Sequence, residues 1–341
     1  MRKSIFLILI LVLTACGSGG VTSPTPTPLA STATPAPAST PSLAPAATLS
    51  PTPGQNKVVL VAPPEAGTDL AQAARGAMTD LAASAKWAME TRPALPAAEL
   101  NPEYKIVVFL QAPPDLAALL AAAPQTQFVV VAGSSLEPIA NLSVIRQREE
   151  FRSFLAGYIT ILVAPDWRAL GLMPDAPVQL QDAFLNGSRF WCGRCIPLHG
   201  PVVLFPVVSA LPAGAALADW QKAVAIQQKN VIEAVYISPE AHSPELVKAL
   251  FTQKLILVGS RPPAAEYAPL WAATLSFDPI PALQKLWPNL VSAKGGQTAD
   301  ASLAWSSVNA DWFSPGKQRL AQDMLSGLLD GTISPFSVPT Q

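Results

Sequence analysis

From Lys57 onward, short runs of apolar residues alternate with longer segments in which apolar residues recur every three or four positions. The short runs, such as KVVLVAPP at Lys57 and YKIVVFLQAP at Tyr104, are nearly continuous in Val, Ile and Leu, as buried parallel strands are. The periodic segments predict helices. One of them, EEFRSFLAGYITILV, carries its apolar stripe at Phe151, Phe154, Leu155, Tyr158 and Ile159. This alternation predicts an α/β fold with parallel sheets sandwiched by helices.

The same criteria assign the other elements. Further strands are predicted at QFVVVAGSS, NLSVIRQR, WRALGLM, GPVVLFPVV, VIEAVYISP and KLILVGSRPP. Further helices are predicted at TDLAQAARGAMTDLAASAKWAMETR, Asp115 to Ala123, Val178 to Trp191, AALADWQKAVAIQQK, SPELVKALFTQ and KQRLAQDMLSGLLDGTI. Thr68 or Asp69 is expected to cap the first of these helices. The periodicity is weak from residue 270 until the last one.

Two successive sets of strands and helices, followed by a shorter return segment, predict two lobes with a cleft between them. We expect lobe one over 57–160 with part of 272–300 returning to it, and lobe two over 161–271. Residues 301–341 are expected to pack near the hinge. In such a fold a ligand lies between the lobes, beyond the carboxyl ends of the strands.

The amino terminus has the features of an export signal. Arg2 and Lys3 precede an apolar run from Ile5 to Leu13, which is too short to span a bilayer. The run ends in LTAC, which resembles a bacterial lipoprotein signal and implies cleavage after residue 15 and attachment of acyl chains such as palmitate to Cys16. The alternative is an ordinary secretory signal that contains a cysteine.

Residues 17–56 are rich in Pro, Thr, Ser and Ala and lack charge until Lys57, so we expect a disordered tether rather than a packed domain. The whole chain has a net charge of −1 and only 13% charged residues, which indicates no basic field for nucleic acid or anionic lipid. We therefore expect the protein on the extracytoplasmic face of the cell membrane, attached to it through the lipid alone.

The WCGRC motif raises three alternatives for Cys192 and Cys195. A thiol–disulfide enzyme places the first cysteine at a helix amino terminus, whereas here a predicted helix precedes the pair. A metal site that used His199 would be one ligand short. In an extracytoplasmic compartment a lone pair is expected to form a structural disulfide, which is our prediction.

Polar residues that follow predicted strands are the candidate ligand-binding residues, because α/β proteins bind ligands beyond strand carboxyl ends. For each of them the alternative is an exposed loop residue or a helix cap. His242, in the loop after VIEAVYIS, is more typical of a solvated loop histidine. The candidates are Glu65, Asp69, Ser134, Ser135, Ser238, Glu240 and Arg261.

QREEFRSFLAGYITILV resembles a stretch of the basic membrane protein family, lipoproteins that bind purine nucleosides for ABC importers and have a type 1 periplasmic-binding-protein fold. DAFLNGSRFW, VIEAVYISP and LLDGTISPFSVP resemble later parts of that family. Asp278 lies near a position at which the family also has Asp, so it joins the candidate ligand-binding residues. The loop PPEAGTDLAQAA lacks the Phe and Asn that the family places against the nucleoside, and Gly259 is not followed by the family's Asp pair. The resemblance therefore implies the scaffold more than the nucleoside pocket.

No catalytic motif is present in the sequence, so we expect no enzyme activity and no cofactor. The predicted function is that of a monomeric solute-binding lipoprotein, which captures a nucleoside-like or other polar small molecule by hinge closure and delivers it to an ABC permease. The alternative is a degenerate solute-binding fold that acts as a surface sensor or protein-interaction module. A thiol–disulfide enzyme is the third hypothesis.

Overall fold

The computed structural model describes residues 55–64, 67–132 and 136–337. The strands are β1 (Lys57–Val61), β2 (Ala88–Arg92), β3 (Tyr104–Phe109), β4 (Gln127–Ala132), β5 (Leu142–Arg146), β6 (Ala169–Pro174), β7 (Val207–Leu211), β8 (Ala234–Ile237), β9 (Ile256–Gly259), β10 (Trp271–Asp278), β11 (Thr298–Asp300) and β12 (Ser302–Ser306). The helices are α1 (Thr68–Ser84), α2 (Leu116–Ala122), α3 (Glu149–Val163), α4 (Val178–Cys192), α5 (Leu217–Gln228), α6 (Pro244–Thr252), α7 (Ile280–Val291) and α8 (Pro315–Asp330).

The strands form two six-stranded sheets. The first sheet has the order β11-β5-β4-β3-β1-β2, and its strand pairs are all parallel. The second sheet has the order β12-β10-β9-β8-β6-β7 and is parallel except for β12, which runs antiparallel to β10. Their central strands are buried Val, Ile and Leu runs covered by helices. The predicted fold class, α/β with parallel sheets between helices, is confirmed.

The lobe boundaries differ from the predicted ones. Helix α3 packs on α4 and on the second sheet, so lobe two begins at 149 rather than at 161. Strand β10 also belongs to the second sheet, whereas α7 and β11 return to the first. Periodicity alone cannot say which sheet an apolar helix face covers. Lobe one is accordingly 55–146 with 280–300, and lobe two is 149–278 with 302–337.

Four local predictions were also wrong. Gly67, and neither Thr68 nor Asp69, occupies the cap position of α1, and no side chain caps this helix. The predicted first helix ends at Ser84, because Lys86 adopts a positive φ of 58° and the chain continues as β2. GPVVLFPVV contributes only its last two residues to a strand, since Pro201 and Pro206 have no amide hydrogen to donate. Strand β10 is absent from the predictions.

Candidate ligand-binding site

The chain passes between the sheets at 147–148, at Pro279 and at Ala301. Each crossing segment directly follows the carboxyl end of a strand, namely β5, β10 and β11 in that order. Ser302, the first residue of β12, pairs with Asp278, the last residue of β10. The carboxyl edges of both sheets therefore meet at the passages between the lobes. In open α/β sheets this is the edge at which ligands bind.

Ion pairs hold the lobe-one side of this junction. Arg146 Nε lies 3.0 Å from Asp300 Oδ1, and an Nη atom of Arg148 lies 3.8 Å from the other carboxylate oxygen. The Arg148 guanidinium also stacks 4.1 Å from the centroid of the Phe151 ring. These side chains are partly exposed, so each ion pair stabilises the junction by about 1 kcal/mol or less.

Arg152 is at the centre of the second sheet's carboxyl edge. It lies one turn into α3, pairs with Glu149, and stacks 5.3 Å from the centroid of the Phe277 ring at the end of β10. Its Nε is buried and has no hydrogen-bond partner within the described part of the chain. A buried guanidinium nitrogen without a partner is costly, which makes it a donor available to a ligand.

The charges around Arg152 shift the pKa values of its neighbours. Burial raises the pKa of Glu149; the Arg152 charge opposes this shift, and the nearby Glu240 carboxylate adds to it. Burial likewise raises the pKa of Tyr236, in β8, to about 12. A buried arginine, a carboxylate and an aromatic ring form a polar cluster suited to a hydroxylated or amide-bearing molecule.

The loops after β8 and β9 add two more unsatisfied polar atoms. Ser260 is only 8% exposed, and its hydroxyl has no hydrogen-bond partner among the residues that the structure describes. The same holds for the buried Nδ1 of His242. Burial, and then the nearby Arg261 charge, lower the pKa of His242 to about 4. The imidazole is therefore neutral at physiological pH, so one of its nitrogens is an acceptor.

The structure brings four of the candidates from the sequence to this edge. Ser238 is buried, and its hydroxyl accepts a hydrogen bond of 3.4 Å from the Ala241 amide. Glu240 and Arg261 are exposed. Asp278 is also exposed, and its carboxylate accepts a hydrogen bond of 2.9 Å from the amide of Ile280, the first residue of α7.

The remaining candidates are in lobe one or further toward the amino terminus. Asp69 is exposed in the first turn of α1. Glu65, Ser134, Ser135 and Cys16 lie outside the described residues.

Sequence reasoning missed Arg152, Tyr236, Phe277 and Ser260. The sequence could have indicated one of them. Ser260 directly follows an apolar strand and precedes Arg261, which was predicted as a ligand-binding residue.

Lobe one has an apolar pocket of about 650 Å³ at the carboxyl ends of β1, β2 and β3. Its walls combine Val61, Leu95 and Phe109 with prolines of three loops, and Gln111 and Asp115 are the polar residues among its lining. This composition gives lobe one few groups that could orient a polar ligand. Among the described residues, the unsatisfied polar atoms of the candidate site lie on lobe two.

Cys192 is the last residue of α4, and it forms a disulfide with Cys195, with the two Cα atoms 4.9 Å apart. Cys195 is almost completely buried. Across residues 55–64, 67–132 and 136–337, no group of three or more His, Cys, Asp or Glu side chains is placed to hold a metal ion. None of the helices in that part of the chain is long and apolar enough to cross a membrane.

No protein-family model and no curated protein sequence matches the chain. Solved structures do match it. An ABC transporter solute-binding protein from Conexibacter woesei superposes with a TM-score of 0.59 at 15% identity, over 83% of this chain and 100% of the other. A transcriptional activator of the comK gene from Bacillus halodurans gives 0.59 at 11% identity, over the same shares of the two chains.

A third match is a carbohydrate transporter solute-binding protein from Agrobacterium radiobacter in complex with D-arabinose. It superposes with a TM-score of 0.50 at 11% identity, over 79% of this chain and 99% of the other. The chain has the type 1 periplasmic-binding-protein fold. At these identities the likeness shows the fold alone, and proteins with this fold include both transport proteins and regulators.

Proposed function

We propose that the protein is a lipid-anchored, extracytoplasmic solute-binding protein of an ABC importer. One observation carries the proposal. Arg152 Nε, His242 Nδ1 and Ser260 Oγ are buried at one carboxyl edge, and they have no partner among the described residues. Buried polar atoms are almost always hydrogen-bonded in native proteins, so three such atoms along one carboxyl edge support the presence of a ligand that completes them.

Binding proceeds by closure of the lobes on the solute. The polar cluster of lobe two holds the solute first, and lobe one then covers it with the apolar pocket and with the loops after β1 and β4. Glu65, Asp69, Ser134 and Ser135 are the lobe-one residues proposed to contact the solute, and Ser238, Glu240, Arg261 and Asp278 are proposed beside the cluster. In this proposal the hinge is formed by the three segments that cross between the lobes, at 147–148, Pro279 and Ala301.

The proposed ligand is a small neutral or weakly charged molecule with several hydroxyl or amide groups. Arg152 and Ser260 donate, and the neutral His242 accepts. D-arabinose, the ligand of one neighbour, has this chemistry. No covalent step is required, and the closed protein delivers the solute to the permease.

The finer assignment is a divergent basic membrane protein family lipoprotein. It rests on the FLAGY stretch and on the order of the elements, while the altered loops PPEAGTDLAQAA and GSRPP imply a pocket that differs from the nucleoside pocket. Cys16 is the proposed lipidation site. Mass spectrometry of the amino-terminal peptide of the membrane-bound protein tests this, because an acylated peptide starting at Cys16 is expected and an unmodified cysteine contradicts it.

The solute-binding function is tested by thermal unfolding in the presence of pentoses, hexoses, nucleosides and amino acids. At least one class is expected to raise the melting temperature at millimolar concentration. Ser260→Ala should weaken that ligand's binding about 3- to 10-fold, since one hydrogen bond is lost. The control is Ser84→Ala, because Ser84 is exposed and its hydroxyl bonds only to its own helix. If no class has an effect, the chain is better described as a protein-interaction lipoprotein with this fold.

A further inference from the structure

A second surface lies away from the carboxyl edges. We call the segment Arg189–Leu204, which begins in the last turn of α4 and precedes β7, the stapled loop. Its apolar side chains point outward to an unusual degree, with Leu198 80%, Val202 72% and Leu204 63% exposed. The exposed large apolar residues of the loop are Phe190, Trp191, Ile196, Leu198, Val202 and Leu204. Six exposed large apolar residues within one short loop indicate a candidate binding surface.

The loop is held in this conformation by contacts of its backbone. Asp166 accepts hydrogen bonds from the amides of Leu198, at 2.6 Å, and His199, at 3.3 Å. Arg168, which is 2% exposed, pairs with Asp166 and donates to the carbonyls of His199 and Pro201. Burial alone would raise the pKa of Asp166, but these amides and Arg168 outweigh it and lower the pKa.

Side chains within the loop add to this anchoring. Cys195 and Pro197 are buried, while Ile196, between them, points outward. The disulfide fixes the entry to the loop. A preorganised loop loses little conformational entropy when its outward side chains bind a partner. The exposure of the apolar residues is therefore a feature of a fixed structure.

The charge of the loop restricts the partner. Arg189 and Arg194 are both exposed, and no Asp or Glu occurs from Ser188 to Pro206. This local charge of +2 contrasts with the net charge of −1 for the whole chain. Arginines beside Trp, Phe and Leu on one short surface are the composition of protein segments that insert at the headgroup level of anionic bilayers. Each basic residue near such a surface contributes about 1 kcal/mol.

We propose that the stapled loop is a membrane-docking surface, whose apolar side chains enter the outer part of a bilayer while Arg189 and Arg194 contact anionic headgroups. The inference rests on the proposed lipid anchor at Cys16. The tether of about 40 residues predicted from the sequence would reach on the order of 120 Å at the roughly 3.1 Å per residue of an extended Pro-rich chain, which would permit the approach. The anchor also keeps the local lipid concentration high, so a weak surface contact suffices. Docking would orient the lobes relative to the membrane.

The test uses the full lipidated chain reconstituted in phosphatidylcholine–phosphatidylglycerol vesicles that carry brominated acyl chains, which quench only tryptophans in contact with them. Quenching of wild-type emission is expected, and Trp191→Phe should abolish most of it. Trp312→Phe is the matched control, because Trp312 lies at the start of the segment before α8 and its Nε1 is bonded to the Pro269 carbonyl. A double change of Leu198 and Leu204 to Ser should also remove the quenching and leave the melting temperature unchanged, since both side chains are exposed.

The two proposals fail in different ways. If the anchor proposal is wrong, the protein does not float with the vesicles at all. If the protein floats but brominated lipids do not quench Trp191, the docking proposal is overturned. Quenching that persists in pure phosphatidylcholine would contradict the role of the arginines. Cross-linking of the loop to a second copy or to a permease, without quenching, would replace the bilayer by a protein partner.

Discussion

Gly157 of α3 lies directly against the main-chain carbonyl of Phe184 in α4. A Cβ atom at Gly157 would be only 1.9 Å from that carbonyl oxygen. The relationship is reciprocal, because a Cβ at Gly187 of α4 would be 1.9 Å from the carbonyl oxygen of Phe154 in α3. Two Phe-x-x-Gly segments thus cross so closely that their backbones touch. Ser188 adds a hydrogen bond of 2.8 Å from its hydroxyl to the Gly157 carbonyl.

Replacement of either glycine at this crossing by alanine should destabilise the protein. Gly157→Ala and Gly187→Ala are each expected to lower the free energy of unfolding by about 3 kcal/mol, because a rigid backbone must move to admit the methyl group. Urea denaturation measures the change. Gly76→Ala is the control, since nothing lies within 4 Å of its added Cβ in α1, and it should raise stability by about 0.5–1 kcal/mol. Equal effects at all three sites would refute the packing argument.

Acid should destabilise the protein through His242. Its pKa is about 4 in the folded chain against 6.5 as the reference value, so between these pH values only the unfolded chain takes up the proton. Stability linked to His242 is therefore fully present above pH 6.5, decreases as the pH falls to about 4, and is constant below that. His242→Gln should flatten this part of the stability profile relative to wild type.

Chemical denaturation at half-unit pH steps measures the difference between wild type and His242→Gln. His199→Gln is the matched control for the loss of a histidine, because its side chain is 83% exposed. If the two variants show the same pH dependence, His242 is not a buried neutral group in the folded protein.

The fold was largely predictable, since apolar runs and helical periodicity follow directly from burial. KVVLV and YKIVVF are strands because a parallel sheet covered on both faces buries the consecutive apolar side chains of such runs. Strand β2 was not predictable in the same way. Its residues, AMETR, continue a helical pattern, and only the backbone turn at Lys86 separates them from α1. Similarly, the apolar stripe of α3 could pack against the sheet of either lobe. Only the contacts of α3 with α4 and β8 assign it to lobe two.

The stapled loop should depend more on Arg168 than on the disulfide. Arg168→Met leaves Asp166 and several carbonyls without their donor, so we expect a loss of about 3–5 kcal/mol. The amides of Leu198 and His199 should then exchange with deuterium at least about 10-fold faster. The double change of Cys192 and Cys195 to Ala should lower stability by about 2 kcal/mol or less, because the loop that it closes is very short. A larger loss without the disulfide than without Arg168 would contradict this ranking.

The candidate site was predictable in position but not in composition. The rule that ligands bind beyond strand carboxyl ends selected Ser238, Glu240 and Arg261, which the structure places at one edge. The same rule cannot identify Arg152, because this residue belongs to a helix and reaches the edge from a neighbouring element. Ser260 differs from the neighbouring Arg261 because Ser260 is buried and its hydroxyl has no hydrogen-bond partner among the described residues, whereas Arg261 is exposed. Both properties depend on the assembled fold.

A small polar solute is proposed to complete the hydrogen bonds of Arg152, His242 and Ser260 at the carboxyl edge of lobe two. Native mass spectrometry of the protein purified without denaturation tests this binding most directly, with Ser260→Ala measured in parallel. We expect the wild-type protein to carry a bound small molecule whose occupancy is several-fold lower in the Ser260→Ala variant. A wild-type protein that is empty, and that stays empty after incubation with millimolar sugars, nucleosides and amino acids, would show that these three groups do not form a solute site.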